Sequence, residues 1–398
     1  MDVRFERSFA VGNFSAPPSK SFCHRALICS ALSHGESTVY GVQPSDDICA
    51  TIDCLRNMGA RVTVSGDTAH IIGCDFDADS SGVTLDCRQS GTTLRFMTAI
   101  ALLCDRQITL TGSPRLMERT MSAYEELCAA NGYSFRHDER GITVDGHLKC
   151  GGYRISADVS SQFVSGLLLA LGYLDGESNV VISGNAVSRP YIEMTRRVMR
   201  DFGVDTEYRG DMITVRGGAY SGCEYHVEGD CSNAAYFDAM NRLGSEIKIT
   251  GLDSDTVQGD GAFSVLFDEL DEGCATVDVT DCPDLAPILM AYGACRHGVT
   301  LTGTARLAEK ESDRVREMAT ELRKFGVGIT CLDDSVIVMP AEIIRPTENI
   351  VSHGDHRIVM ACSVLLMLTG GVLIGADDVN KSFPGFFDVL RRLGVDVK

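Results

Sequence analysis

Six times along the chain a run of β-branched residues reaches a glycine, passes through a polar loop and enters a helix-period segment that ends in another glycine. The copies begin TVYGVQPSDD, ITLTGSPRLMERT, VVISGNAVSRPY, IKITGLDSD, VTLTGTARLAEKESDR and VLIGADDVNKSFPG. Their strand-end glycines, Gly41, Gly112, Gly184, Gly251, Gly303 and Gly375, lie 71, 72, 67, 52 and 72 residues apart, which is the signature of a repeated structural unit. Each helix-period segment closes on a glycine stop, such as LRNMG, CAANG or LRRLG, before another strand.

Between these copies lie six more apolar helical segments, each opened by small or polar residues suited to a helix N-terminus. The openings are PPSKS before Phe22, QSGTT before Leu94, VSSQ before Phe163, DCSNAA before Tyr236, CPDLAP before Ile288 and GDHR before Ile358. Helices apolar nearly all round belong in a core. Each unit therefore reads strand, buried helix, strand, amphipathic helix, strands, one layer of sheet covered by helices. The prediction is an α/β fold of six repeated units in two lobes of three. Were the buried helices parallel within a lobe, their unpaired N–H groups and positive dipole ends would face one way and make the cleft between the lobes attractive to anions. Each terminus is worth roughly 0.3–1 kcal/mol, so a doubly charged phosphate also needs side-chain cations.

Composition narrows the class. At 398 residues, 44% hydrophobic and 23% charged, the chain is long enough for two or three compact units and is not disordered. Thirty-six basic against fifty-five acidic side chains give a formal charge of -19, which argues against nucleic acid and anionic lipid as partners. Sixteen cysteines without a CxxC pair suit a reducing compartment, and the isolated pairs Cys23/His24 and His353/His356 suggest no metal site. The opening MDVRFERSFAVG carries charges where a signal peptide needs an apolar run, so the cytoplasm is expected. The uncharged stretch from Ile358 to Ala376 approaches a membrane span in length, but Thr369-Gly370-Gly371 divides it into a buried helix and a short strand.

Cations recur in equivalent loops: Lys20 and Arg25, Arg115, Lys310 and Arg314, Arg357 and Lys381. Taken singly each reads as a solvated surface cation; their common placement points to a bound anion. Lys20 opens a helix, where an ammonium opposes the dipole. Ser21, Ser160, Ser161 with Gln162, and Ser188 before Arg189-Pro190-Tyr191 offer neutral hydrogen bonds to phosphate oxygens, and Gly91 allows close backbone approach. Asp284 and Glu311 add two carboxylates, one to accept a proton from an attacking hydroxyl and one to give a proton to carbon. Together these suggest a transferase acting on phosphorylated substrates.

The ordered motifs PPSKSFCHRAL, SGTTLR, GSPRLMER, SSQF, SRPYIEMT, PDLAP, KESDR, GDHR and NKSFPGFF span nearly the whole chain. This set resembles the 3-phosphoshikimate 1-carboxyvinyltransferase (EPSP synthase) family of enolpyruvyl transferases. The resemblance implies an EPSP synthase-like fold whose chain crosses between lobes near Ala16 to Ser19 and Glu228 to Cys231, so that 1–18 joins 229–398 and 19–228 forms an inserted lobe. It implies transfer of the enolpyruvyl group of phosphoenolpyruvate to the 5-hydroxyl of shikimate 3-phosphate, without cofactor or metal, by a monomer. Carried over, Lys20 contacts both substrates; Ser21, Arg25, Ser160, Ser161, Gln162, Ser188, Tyr191, Asp284 and Lys310 surround shikimate 3-phosphate; and Gly91, Arg115, Gln162, Arg314, Arg357 and Lys381 hold phosphoenolpyruvate. Asp284 is then the proton acceptor and Glu311 the donor, with Lys20 assisting.

Three positions depart from the family pattern. Gln89 stands where asparagine is usual, Phe96 follows Arg95 in place of proline or leucine, and Arg306 replaces a frequent asparagine. The first two flank Gly91 and bear on the pocket that glyphosate occupies in the family. Two other readings have distinct expectations. UDP-N-acetylglucosamine enolpyruvyl transferase shares the repeat architecture but opens with a Gly-Ala-Lys-Asn phrase and a loop cysteine not evident here, and a noncatalytic anion-binding protein would bind without turnover.

Overall fold

In a computed structural model, which describes residues 1–75, 82–158, 160–184, 188–218 and 220–398, the chain divides into two compact units. One comprises Met1–Pro17 with Gly229–Lys398, the other Pro18–Glu228. Residues 159 of the VSSQ opening and 185–187 of the third copy lie outside the described residues.

Within Pro18–Glu228 three four-stranded sheets share one plan. Val83–Asp86 runs parallel to Ile108–Thr111, which pairs antiparallel with Gly141–Asp145, and that strand pairs antiparallel with Ser134–Asp138. Gly152–Ser156, Gly176–Ser183, Met212–Gly217 and Asp205–Arg209 repeat this order. So do Glu224–His226, Glu36–Tyr40, Thr68–Ile72 and Arg61–Ser65. Alternation sets the register: Leu85 faces Leu110, Leu110 faces Ile142, and all three are buried. The other unit contains Ala275–Asp278, Val299–Thr302, Ser335–Val338 and Ile329–Cys331 in the same order. It also contains two smaller sheets, Val11–Ser15 with Glu246–Thr250, and Asp2–Phe5 with Gly371–Ile374 and Ile350–Val351.

The parallel pairs explain the apolar helices, because a parallel connection needs a crossover. Gly91–Ala101, Ser161–Tyr173, Ala286–Cys295 and His356–Thr369 each join two parallel strands and are buried nearly all round. The remaining two, Lys20–Ala31 and Cys231–Arg242, take part in an exchange. Val11–Ser15 leads into Lys20–Ala31 but pairs with Glu246–Thr250, which follows Cys231–Arg242; Glu224–His226 leads into Cys231–Arg242 but pairs with Glu36–Tyr40, which follows Lys20–Ala31. Stacking of Phe14 on Phe237, with ring centroids 3.6 Å apart, fixes the first of these strands in its unit. In Pro18–Glu228 the Ser161 helix packs on both the Gly91 and Lys20 helices; in the other unit the Cys231, Ala286 and His356 helices pack on one another.

Five of the six strand-end glycines have φ between 70° and 85°, a conformation a side chain rarely adopts. Gly112 is glycine for a different reason: a Cβ there would lie 2.7 Å from Leu116 Cδ2 and 2.8 Å from the Arg88 carbonyl oxygen. The uncharged stretch after Arg357 is a buried helix to Thr369 followed by the strand Gly371–Ile374. Among the described residues no helix is long and apolar enough to cross a membrane.

The helix openings also revise the dipole argument. Side chains already cap four of the buried helices: Ser90 accepts from the Thr93 amide, Ser160 from Gln162, Asp230 from Asn233 and Asp355 from Arg357. Carboxylates at two of these four N-termini neutralise the positive dipole end. Attraction of an anion therefore falls mainly on lysine and arginine side chains.

Candidate active site

The candidate residues form two clusters, one in each unit. In the unit made from both termini, Pro283–Leu285 is a turn leading into the Ala286 helix, and it carries Asp284. Arg314, at the first position of Arg314–Lys324, donates through Nη1 to Asp284 Oδ1 at 2.8 Å, through Nη2 to Glu311 Oε2 at 2.7 Å and through Nε to Asp355 Oδ2 at 2.9 Å. Its guanidinium is 2% exposed and Asp355 is fully buried. Arg314 thus holds both candidate proton-transfer carboxylates in place. Arg357 donates through Nη2 to Asp284 Oδ2 at 3.0 Å, whereas its buried Nε and Nη1 make no hydrogen bond. Lys381 Nζ lies 3.5 Å from Glu311 Oε1, and Lys310 Nζ lies 3.9 Å from Asp284 Oδ1.

Burial pushes the Asp284 carboxyl up, but Arg357, Lys310 and Arg314 outweigh it and hold the group well below the ordinary carboxylate range. Burial pulls Lys310 down to about 8, Arg314 acts in the same direction, and Asp284 opposes them. About a third of the Lys310 side chain is open to solvent, so the desolvation falls on an ammonium crowded by other cations rather than on a sealed one. Arg306 is engaged with backbone: its Nη2 donates to the Thr280 and Val279 carbonyl oxygens.

In Pro18–Glu228, Lys20 Nζ donates to Asp47 Oδ2 at 2.7 Å. The ammonium at this helix opening is therefore balanced by a carboxylate from Asp46–Met58, and needs no bound anion to account for it. Arg25 is buried and donates to Thr195 Oγ1 at 2.8 Å, the Ser21 carbonyl oxygen at 2.7 Å and the Tyr191 carbonyl oxygen at 2.9 Å. Its guanidinium lies 5.1 Å from the Phe96 ring centroid, and burial lowers its pKa to about 10. Arg25 consequently ties the Lys20 helix to Arg189–Asp201, at whose opening Ser188 sits with φ 57°. Phe96 is fully buried beneath that arginine, and Gln89 is exposed.

Ser160 and Ser161 open the Ser161 helix, and Gln162 is oriented by two contacts: Arg95 Nη1 donates to its Oε1 at 2.7 Å, and its Nε2 donates to Thr92 Oγ1 at 2.8 Å. Gly91 lies beside a second arginine of the motif that carries Arg115. Arg115 is half exposed, 3.7 Å from Glu118. Arg119 is buried, and its Nη1 would lie 2.7 Å from a Cβ placed on Gly91. The two arginines are four positions apart in GSPRLMER: Arg115 lies in the short helix Pro114–Met117 and Arg119 in the turn that follows it. Asp355 and Asp260 were likewise missed: each resembled an ordinary polar helix or turn opening.

Comparison with known proteins settles the family. The family model described as EPSP synthase (3-phosphoshikimate 1-carboxyvinyltransferase) matches residues 8–269 and 267–390. The chain belongs to the EPSP synthase family. It is 35% identical to the 3-phosphoshikimate 1-carboxyvinyltransferase of Clostridium kluyveri, over 97% of this chain and 96% of the relative, and 34% identical to that of Clostridium perfringens over 96% of each. The solved EPSP synthase of Acinetobacter baumannii superposes with a TM-score of 0.80 at 23% identity, covering 100% of this chain and 99% of that one. The enolpyruvyl transferase NikO of Streptomyces tendae shares the fold at a TM-score of 0.77 and 14% identity, covering 100% and 98%. Both structural likenesses show that the α/β fold is shared along the whole chain.

Proposed function

We propose that this EPSP synthase family member transfers the enolpyruvyl group of phosphoenolpyruvate to the 5-hydroxyl of shikimate 3-phosphate, releasing phosphate. The reading places the monomeric enzyme in the cytoplasm. The observation that carries it is the Asp284–Arg314–Glu311 arrangement, in which one guanidinium bridges two carboxylates by hydrogen bonds of 2.8 and 2.7 Å. The unit formed by both termini supplies the acids and the cations Arg314, Arg357 and Lys381 for phosphoenolpyruvate, with Lys310 and Asp284 toward shikimate 3-phosphate. Pro18–Glu228 supplies Lys20, Ser21, Arg25, Ser160, Ser161, Gln162, Ser188 and Tyr191. Gly91 and Arg115 serve phosphoenolpyruvate, and Arg119 is buried beside that glycine.

In the addition step the 5-hydroxyl oxygen bonds to C2 of phosphoenolpyruvate, its proton passes to Asp284, and Glu311 delivers a proton to the methylene carbon, giving a tetrahedral intermediate. Elimination breaks the bond from C2 to the phosphate oxygen, the proton held by Asp284 leaves with the departing phosphate, and a methyl proton returns to Glu311, which restores the double bond. Asp284 in its resting pairings is a weak base. A substrate anion that engages Arg357 or Lys310 partly cancels the charges that hold its pKa down, and so raises its basicity as the reactants assemble. Cations aimed at the developing charge lower the barrier in the same site. The test is phosphate release from phosphoenolpyruvate with shikimate 3-phosphate against UDP-N-acetylglucosamine. Asp284→Ala and Glu311→Ala should each lower kcat by roughly 10²- to 10⁴-fold; turnover within threefold of wild type would remove that residue from the proton transfers.

A further inference from the structure

The turn Gly259–Ala262 packs on Pro283–Leu285, which carries Asp284, and on the Cys231–Arg242 helix. It buries Asp260, a carboxyl group the transfer reaction does not use. Oδ2 of Asp260 accepts a hydrogen bond from the Ser232 hydroxyl, and its buried Oδ1 has no hydrogen-bond partner. Arg357 is in the complementary condition: Nη2 is held by Asp284, and the buried Nε and Nη1 have none. The two side chains interact electrostatically, yet no ion pair joins them among the described residues.

We propose that Asp260 is a positioning residue for Arg357: as a neutral acid resting on Ser232 it leaves the Nε and Nη1 edge of the guanidinium open to the carboxylate or phosphate of phosphoenolpyruvate, and its ionisation draws that edge onto itself. The proposal rests on the reading of Arg357 as a phosphoenolpyruvate ligand. An ionised carboxylate with one oxygen buried and unpartnered is strongly disfavoured, so the neutral form belongs to this geometry. Burial first, and then the negative charge of Asp284, push the Asp260 carboxyl up to about 7, while Arg357 opposes them.

The groups around Asp260 come from every neighbouring element. Ser232 and the Tyr236 hydroxyl belong to the Cys231 helix, Asp230 caps that helix, and Cys282 and Asp284 belong to the adjoining turn. Arg357 comes from the His356 helix, and the Phe263–Glu272 helix contributes only apolar buried residues. Arg357 is the one cation in this set. The Tyr236 hydroxyl also interacts with the Arg357 guanidinium, though outside hydrogen-bond geometry, which leaves Nε and Nη1 without a hydrogen-bond acceptor.

The experiment follows KM for phosphoenolpyruvate and kcat from pH 5.5 to 9 at saturating shikimate 3-phosphate, in wild type and Asp260→Asn. Dividing one KM profile by the other cancels ionisation of the substrate itself. The ratio of wild-type to variant KM should climb at least fivefold as pH passes through about 7, with the kcat ratio nearly flat. A KM ratio constant across the range overturns the proposal, because a purely structural acid would not impose a pH-dependent limb on KM alone. Ser232→Ala, which removes the hydrogen bond that favours the ionised acid, should move the limb to higher pH and serves if Asp260→Asn does not fold; an unmoved limb counts against the idea equally. Arg357→Lys separates the two readings. An unaltered phosphoenolpyruvate KM in that variant overturns the ligand role of Arg357, whereas a raised KM combined with a flat wild-type to Asp260→Asn ratio overturns only the role of Asp260.

Discussion

Arg314→Met tests whether the centre of the candidate site is a scaffold as much as a ligand. The substitution leaves three carboxylates, Asp284, Glu311 and Asp355, without the guanidinium that bonds them, and Asp355 is fully buried. Removing one partner of a buried ion pair costs about 3–5 kcal/mol, because the remaining charge stays desolvated. For a folding unit of about 190 residues, Tm falls by about 2–4 °C per kcal/mol, so the unit comprising Met1–Pro17 and Gly229–Lys398 should unfold roughly 6–20 °C lower. The chain contains no tryptophan, so calorimetry is the suitable assay. Asp355→Asn provides the second arm of a double-mutant cycle. Asparagine caps a helix about as well as aspartate, so it removes the charge yet keeps the acceptor for the Arg357 amide. Arg314→Met combined with Asp355→Asn should then be less damaging than the two singles added together, with a coupling of about 0.5–3 kcal/mol. A Tm for Arg314→Met within 2 °C of wild type, or additive singles, would refute the scaffold role and leave Arg314 as a substrate ligand only.

Other consequences follow from individual contacts. Gly91→Ala places a methyl group 2.7 Å from Arg119 Nη1, a flexible side-chain end that can shift; stability should change by less than about 1 kcal/mol, while KM for phosphoenolpyruvate rises about tenfold, about 1.4 kcal/mol in binding, and an unchanged KM would separate Gly91 from that substrate. Lys310 loses its proton near pH 8, so affinity for shikimate 3-phosphate should weaken above that pH in wild type and stay level to about pH 10 in Arg-substituted Lys310→Arg, as calorimetric titration would show. Asp260 binds its proton up to about pH 7 when folded, against an ordinary value of 3.8. Between those values the folded state holds the extra proton, and stability falls as pH rises. Asp260→Asn should therefore gain on wild type from pH 4 to pH 8, by at most about 4 kcal/mol at 1.36 kcal/mol per pKa unit, and a pH-independent difference in denaturant stability would contradict this.

The repeat was legible in the sequence because its punctuation is local. A glycine forced to positive φ, as at Gly41 or Gly375, and an apolar helix with a polar opening, as at Gly91–Ala101, are decided within a dozen residues. The strand exchange has no such marker: nothing in VGNFS distinguishes pairing with Glu246–Thr250 from pairing within its own repeat, and only the family resemblance anticipated that the chain crosses. The same limit governs the site. Glu311 stood out between Lys310 and Arg314 and Asp284 at a helix opening, but Lys20 meets Asp47 from a helix 27 positions onward. The burial of Arg119 beside Gly91 depends on the turn that follows the short helix Pro114–Met117, which the motif does not specify.

That limit also affects how binding cations are to be recognised. A lysine or arginine near an anion site can be committed to the protein, and its position in the chain does not reveal this. Arg25 has Thr195, Ser21 and Tyr191 as acceptors, and Arg314 has three carboxylates. Arg357 differs because two of its buried donor atoms have no acceptor. Leaving such donors desolvated and unpaired costs about 1–3 kcal/mol for each group, a penalty that an arriving carboxylate or phosphate removes. On the proposed reading, the unengaged edge makes Arg357 more selective for the substrate anion than a fully bonded arginine would be. It also explains why the protonation of one neighbouring acid, Asp260, can govern whether that edge remains open.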